Sequence, residues 1–139
     1  MHRIVHLEAN SLIAELRRPA FAHDWVSHAK TAADEVRGRL AGATIAITNK
    51  VPIRAADIAA LPDLQMIAVS ATGANNVDLD ACRVRGIVVS NIRGYAVHTV
   101  PEHVLAMMLA LSRNLFAWRE TIQAGGWQRA EQFCLFDHP

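Results

Sequence analysis

The chain has 139 residues, 52% of them hydrophobic, and its 14 Lys and Arg residues against 13 Asp and Glu residues give a formal net charge of +1. This length fits one domain with a real core, and so balanced a charge excludes the basic surface that nucleic-acid and anionic-membrane binders use. Cys82 and Cys134 are too few for a disulfide framework and have no metal-type spacing, and the N-terminus has no signal-peptide core, so we expect a reduced cytoplasm.

Short apolar or β-branched runs predict five strands, at residues 4–7, 25–28, 45–48, 66–69 and 87–89. Three of these runs are nearly continuous rather than alternating, which is typical of parallel strands covered on both faces. Helical segments fall between the strands, at residues 31–40, 54–61 and 78–85. This alternation predicts a doubly wound parallel α/β sheet with right-handed crossovers.

Several residues predict where these helices begin and end. Thr31 and Asp34 resemble an N-cap region, with Asp in place of the usual Glu of a capping box, and Gly42 can end the helix that follows. Asp78 is predicted to cap the third helix, and Gly86 is predicted to supply its left-handed stop.

The last helix is predicted to be long, spanning residues 98–124, with Pro101 in its first turn and Gly125 and Gly126 as its stop. Residues 104–111 are all apolar, yet this run is far too short to span a membrane. A helix that is apolar on every side is buried on every side. A five-stranded domain covers only one side, so we expect a second domain, a partner subunit or both to cover the other.

Polar residues gather where three predicted strands end, in residues 48–50, 70–76 and 90–95. Ligands of open α/β sheets bind outside the carboxyl ends of the strands. The backbone N–H groups around Gly73 fit a nest for a carboxylate, and Lys50 or Arg93 can add a charge-assisted hydrogen bond. Gly73 is expected to allow a close backbone approach to the ligand or to adopt a positive φ. The competing interpretation is that these are ordinary turn residues.

Other motifs carry no catalytic assignment. His98 and His103 flank the start of the long helix, but an isolated histidine there is more often packed or solvated than catalytic. The sequence has no HExxH, no GxSxG and no GxGxxG, and we predict no metal site. The apolar residues around Cys134 are expected to pack.

Residues 71–111, ATGANNVDLDACRVRGIVVSNIRGYAVHTVPEHVLAMMLAL, resemble the N-terminal catalytic-domain segment of the D-isomer-specific 2-hydroxyacid dehydrogenases. That family has a TGxxNVDL-type turn, an RGI strand, a GY turn and a VAEH-type helix start. The segments ITNKVP, NIRGYA and GGWQRAEQFCLFDHP are most similar to the glycerate dehydrogenase or hydroxypyruvate reductase branch.

The resemblance implies a flavodoxin-like substrate domain over residues 1–139 that stops before an inserted Rossmann domain, with residues 125–139 leading into it. It also implies that the Thr72 and Gly73 N–H groups hold the substrate carboxylate and that Lys50 and Tyr95 line the cleft. The helix after Pro101 would lie beneath the hinge and form a homodimer contact. The family usually has Ala where Pro101 stands, and Pro in many members where Arg93 stands, so Arg93 either contacts substrate or faces solvent.

The function implied for a full-length protein is hydride transfer between NAD or NADP and a small 2-hydroxy or 2-keto acid. The family's catalytic Arg, Glu and His, its glycine fingerprint and its ribose-binding acid match no residue here. This chain therefore supplies a carboxylate clamp and no catalytic or cofactor-binding residue, and alone it is expected to be inactive. The alternative is a stand-alone flavodoxin-like module that binds a ligand or a protein without catalysis.

Overall fold

A computed structural model describes residues 1–132 and divides the chain into two compact units, Met1–Gly94 and Tyr95–Pro139. The single substrate domain over residues 1–139 stays a prediction. Residues 133–139, which include Cys134 and the predicted apolar packing around it, lie outside the described part of the chain.

The first unit is built on a five-stranded sheet in which every neighbouring pair is parallel. The strands lie in the order β2-β1-β3-β4-β5. This is the flavodoxin-like strand order, so the predicted fold class is confirmed. All five predicted strands are present, with bounds β1 His2–His6, β2 His23–Ser27, β3 Ile45–Thr48, β4 Met66–Val69 and β5 Val88–Asn91.

Three short helices supply side chains to the core: α1 Val36–Arg39, α2 Ala55–Ala59 and α3 Leu79–Arg85, with 3-10 turns at Ala9–Ser11 and Ala33–Glu35. Val36, Ile58 and Cys82 from these helices share one buried cluster with strand residues Ala46 and Ile67. Burial of these apolar groups is the main favourable contribution to the free energy of folding.

The apolar runs predicted a sheet that is covered on both faces, but within residues 1–132 only one face is fully buried. Burial alternates along β3 and β4, and the residues whose side chains point away from the helix cluster are only half buried: Ile45, Ile47, Met66 and Ala68. This face borders a cavity of about 430 Å³, which Leu16, Phe21 and Trp25 also line. The continuous apolar runs therefore predict the strands correctly but overstate their cover.

The helix ends follow the predictions at α3 and depart from them at α1. The Asp78 carboxylate accepts a hydrogen bond from the Ala81 N–H at 2.9 Å, and Gly86 ends α3 with φ 67°. Before α1, the Glu35 carboxylate accepts from the Ala32 N–H at 2.7 Å. The predicted cap at Thr31 and Asp34 is wrong, because the Thr31 hydroxyl donates to the Leu7 carbonyl instead. The turn after α1 contains Gly42 at φ 70°.

The second unit contains α4 Thr99–Ser112, α5 Leu115–Gln123 and α6 Gly126–Arg129. One continuous helix over residues 98–124 is therefore wrong. Asn114 adopts φ 50°, a left-handed conformation that interrupts a right-handed helix and that Asn tolerates better than most residues. Gly125 adopts φ 77° two residues after α5 ends, as its predicted role as a stop requires, whereas Gly126 is the first residue of α6.

The apolar run of α4 is exposed in this structure. None of the α4 residues is buried, and Met108 and Leu111 are 61% and 68% exposed. Pro101 lies in the first turn, as predicted. Among residues 1–132, no helix has the length and apolarity that crossing a membrane requires.

Candidate functional site

The three predicted polar segments share one edge of the sheet in the first unit. In the strand register, Thr48 pairs with Val69 and Val69 pairs with Asn91, so β3, β4 and β5 end at the same level. The Ser70 N–H donates to the Thr48 carbonyl at 2.8 Å, and the Ile92 N–H donates to the Ala71 carbonyl at 3.0 Å. Hydrogen bonds therefore hold these segments side by side, as the sequence predicted.

One segment, residues 48–51, encloses a carboxylate from within the protein; we call it the Glu8 loop. Glu8 follows β1 and is only 6% exposed. Its carboxylate accepts hydrogen bonds from the N–H groups of Lys50 at 2.6 Å and Val51 at 3.0 Å. It also accepts from the Asn49 N–H and, at 3.2 Å, from the Thr48 hydroxyl. The N–H groups of this loop are satisfied by a buried anion.

A second segment, residues 70–76, leaves its first N–H groups open; we call it the Gly73 loop. Thr72 and Gly73 are exposed, and within residues 1–132 neither N–H donates a hydrogen bond. The Thr72 carbonyl accepts from the Asn91 side chain at 2.7 Å, which fixes the orientation of this peptide. A Cβ added at Gly73 would lie 3.1 Å from Asn75 Oδ1, so added bulk there must displace the Asn75 side chain.

The conformation of Gly73 separates the two roles expected for it. Its φ is not positive, whereas Gly42, Gly86, Gly94 and Gly125 have positive φ. The positive-φ alternative for Gly73 is therefore wrong. A close backbone approach to a ligand remains the interpretation that this turn supports.

Asn76, in the Gly73 loop, forms hydrogen bonds with the Glu8 loop. Its side-chain amide donates to the Val51 carbonyl at 3.2 Å and to the Asn49 carbonyl at 3.4 Å. The Ile53 N–H in turn donates to the Asn76 carbonyl at 2.8 Å. Hydrogen bonds from Asn76 therefore connect the Gly73 loop to the Glu8 loop.

The sequence-predicted site residues do not all come together. Lys50 is exposed and lines a cavity of about 400 Å³ with residues from the ends of β1 and β2, including Glu8, Ser11, Lys30 and Thr31. Neither Thr72 nor Gly73 lines that cavity. Arg93 is exposed beyond β5, and Tyr95, 65% exposed, belongs to the second unit.

Two residues missed in the sequence interpretation are buried at or beside this edge. Glu8 had a detectable signal, since an acidic residue directly after an apolar strand occupies the edge where ligands bind. His6, in β1, is 4% exposed, and its Nε2 has no hydrogen-bond partner among the described residues. Burial lowers the pKa of His6 below 6.5, and the nearby negative charge of Glu8 offsets this only partly.

His98, His103 and Cys82 offer no catalytic arrangement. Both histidines are exposed at the start of α4. Burial raises the pKa of the Cys82 thiol, which keeps it protonated and poorly reactive. In the part of the chain that the structure describes, no three His, Cys, Asp or Glu residues are grouped as a metal would require.

The turn after β1 does not fit a dinucleotide. A dinucleotide-binding turn uses glycines after the first strand and leaves N–H groups for the pyrophosphate. Here residues 7–10 contain no glycine, and the buried carboxylate of Glu8 occupies the neighbouring N–H groups. A phosphate would meet a negative charge at that place.

Comparison with known proteins points to one family. The family described as "D-isomer specific 2-hydroxyacid dehydrogenase, catalytic domain" matches residues 5–136. The glycerate dehydrogenase of Methylorubrum extorquens is 44% identical over 138 residues, which are 99% of this chain and 44% of that protein. The hydroxypyruvate reductase of Blautia hydrogenotrophica is 29% identical over 106 residues, 76% of this chain and 33% of that protein. The chain thus spans less than half the length of these relatives.

Solved structures agree with the fold. The 2-hydroxyacid dehydrogenase of Ketogulonicigenium vulgare gives a TM-score of 0.71 at 25% identity, covering 100% of this chain and 45% of that chain. The NADPH-dependent glyoxylate/hydroxypyruvate reductase of Sinorhizobium meliloti, solved with NADP and malonate, gives 0.67 at 21% identity. It covers 99% of this chain and 43% of that structure.

Proposed function

Because the chain belongs to the D-isomer specific 2-hydroxyacid dehydrogenase family, we propose that it is the substrate-binding part of a nicotinamide-dependent oxidoreductase. The proposed substrates are small 2-hydroxy and 2-keto acids, as expected for a glycerate dehydrogenase or hydroxypyruvate reductase. The 44% identity to a glycerate dehydrogenase supports this branch.

The open N–H groups of Thr72 and Gly73 carry the proposal. They are exposed, they point from a turn that Asn91 holds in place, and no acceptor within residues 1–132 satisfies them. A carboxylate is the group common to all 2-hydroxy and 2-keto acids, and adjacent backbone N–H groups are a standard way to hold one. Hydrogen bonds to a charged group contribute about 1.5–3 kcal/mol each. Two such bonds are enough to fix the acid end of a small substrate.

Lys50 is proposed to line the rest of the cleft. Lys50 stands on the Glu8 loop, which Asn76 connects to the Gly73 loop, and its exposed ammonium is free to meet an anion. The proposed contribution of this chain is binding and orientation. The nicotinamide cofactor, NAD or NADP, is proposed to bind outside residues 1–132, since the turn after β1 does not fit its phosphates.

The exposed apolar run of α4 is proposed to lie at a homodimer contact. Large exposed apolar patches usually mark interfaces. Leu111→Lys is expected to reduce self-association at micromolar concentration, as measured by light scattering, because it places a charge in the patch. A monomeric wild-type protein would contradict this part of the proposal.

The activity is tested by steady-state kinetics of the full-length protein. We expect oxidation of NADH or NADPH with hydroxypyruvate or glyoxylate, followed by absorbance of the reduced nicotinamide. The 139-residue chain assayed alone is expected to show no turnover above a heat-killed control. A full-length protein that binds neither acid and turns over neither would overturn the proposed function and favour a non-catalytic binding module.

A further inference from the structure

Glu8 has an unusual place for a carboxylate. It is almost fully buried, yet no lysine or arginine among residues 1–132 forms an ion pair with it. Its partners are instead the Thr48 hydroxyl and the consecutive N–H groups of residues 49–51. Burying a charge is costly unless hydrogen bonds compensate it, and here the compensating donors all belong to one loop, so Glu8 fixes the backbone of that loop.

We infer that Glu8 is a positioning residue that fixes the backbone of the Glu8 loop and thereby aims Lys50 at the substrate. The Lys50 N–H lies 2.6 Å from the Glu8 carboxylate, which makes it one of the shortest contacts of the cluster. The peptide that carries the Lys50 side chain is therefore held directly. This inference rests on the proposed function, because it concerns how that same site binds its acid.

The same contacts have a second consequence for specificity. A row of free N–H groups in the Glu8 loop would compete for the substrate carboxylate with those of Thr72 and Gly73. The internal carboxylate of Glu8 already satisfies them and adds a negative charge there. The substrate carboxylate is thus directed to the Gly73 loop, while Lys50 is left to contact the remainder of the substrate.

The test is a double-mutant cycle in the full-length protein with hydroxypyruvate and NADH or NADPH. Lys50→Met is expected to raise KM about tenfold, because one charge-assisted hydrogen bond is lost. Glu8→Gln keeps the shape of the side chain but removes its charge, and we expect it to raise KM by a similar factor. In the Lys50→Met background, Glu8→Gln is expected to change KM less than twofold.

Glu15→Gln is the matched control. Glu15 is exposed and belongs to the same N-terminal third of the chain, and it makes none of the contacts to the Glu8 loop. This variant is expected to leave KM and kcat unchanged. If Glu8→Gln does not fold, Glu8→Asp retains the charge at a shorter reach and replaces it in the same cycle.

The outcomes separate the two proposals. Equal KM effects of the Glu8 variant with and without Lys50 would show that Glu8 is merely structural and would overturn the inference. An unchanged KM for a folded Glu8→Gln protein would overturn it as well. Absence of turnover in the wild-type full-length protein would instead overturn the proposed function itself.

Discussion

The Glu8 loop and the Gly73 loop lie at the same edge of the same sheet, follow neighbouring strands, and treat their backbone N–H groups in opposite ways. In the Glu8 loop a buried carboxylate of the protein accepts from successive N–H groups. In the Gly73 loop the N–H groups of Thr72 and Gly73 are exposed and donate to nothing within residues 1–132. This difference is why we propose the Gly73 loop, and not the Glu8 loop, as the place that binds the carboxylate of a substrate.

The largest expected effect comes from removing the carboxylate that the Glu8 loop surrounds. Glu8→Ala leaves the buried Val51 N–H and the part-buried N–H groups of Asn49 and Lys50 without an acceptor, and each unsatisfied buried group costs about 1–3 kcal/mol. We therefore expect the free energy of unfolding to fall by roughly 3 kcal/mol or more, measured by urea denaturation. Glu15→Ala, at an exposed position, should change it by less than about 0.5 kcal/mol. Equal small effects of the two variants would mean that the Glu8 contacts contribute little.

The second largest effect is expected from a bulky side chain in the Gly73 loop. Gly73→Val places a branched side chain where even a Cβ lies 3.1 Å from Asn75 Oδ1. We expect kcat/KM of the full-length protein for hydroxypyruvate to fall about 100-fold, the loss of one or two charge-assisted hydrogen bonds. The KM for the cofactor should be unchanged.

Gly38→Val is the matched control for Gly73→Val. Gly38 lies in α1 and has no atom within 4 Å of an added Cβ, apart from its chain neighbours and its own helix. Its kcat/KM should equal that of wild type. An unchanged kcat/KM for Gly73→Val would show that the Gly73 turn is only structural.

The smallest expected effect is the pH dependence of stability that His6 causes. Burial lowers the pKa of His6 below 6.5, so the folded state disfavours its protonation. The stability that neutral His6 provides is complete above about pH 6.5 and is lost as the pH falls through the lowered pKa. Unfolding measured from pH 7 to pH 5 should therefore show a decline that His6→Gln reduces and that His103→Gln, at an exposed position, does not.

Glu35 titrates in a different window and does not confuse that experiment. The Ala32 N–H lowers the pKa of Glu35 from its ordinary value of 4.5, so its contribution disappears only under more acidic conditions. A wild-type slope from pH 7 to pH 5 that His6→Gln leaves intact would assign the pH dependence to another group.

Local patterns in the sequence predict much of this architecture. The strands β3 and β4 match their predicted bounds, and the cap at Asp78 and the stop at Gly86 are confirmed. These features depend on residues close together in the chain, which a sequence displays directly. The alignment of the polar segments at one edge follows from parallel pairing, so it is also predictable.

Features that depend on distant residues were not predictable in the same way. The role of Glu8 requires β1 to lie beside β3, 40 residues away along the chain. The break of the predicted long helix at Asn114 was not predictable, because no Gly or Pro marks it and Asn also occurs within helices. The division after Gly94 likewise reflects the contacts of the whole chain.

The most direct test follows the backbone amides of both loops by NMR in isotope-labelled full-length protein during titration with D-glycerate. If the Gly73 loop holds the substrate carboxylate, the amide resonances of Thr72 and Gly73 shift with a saturable dependence on ligand. Those of Lys50 and Val51, already bonded to Glu8, shift far less. If the amide resonances of Lys50 and Val51 show the largest shifts and those of Thr72 and Gly73 do not shift at saturation, the Gly73 loop does not hold the substrate carboxylate.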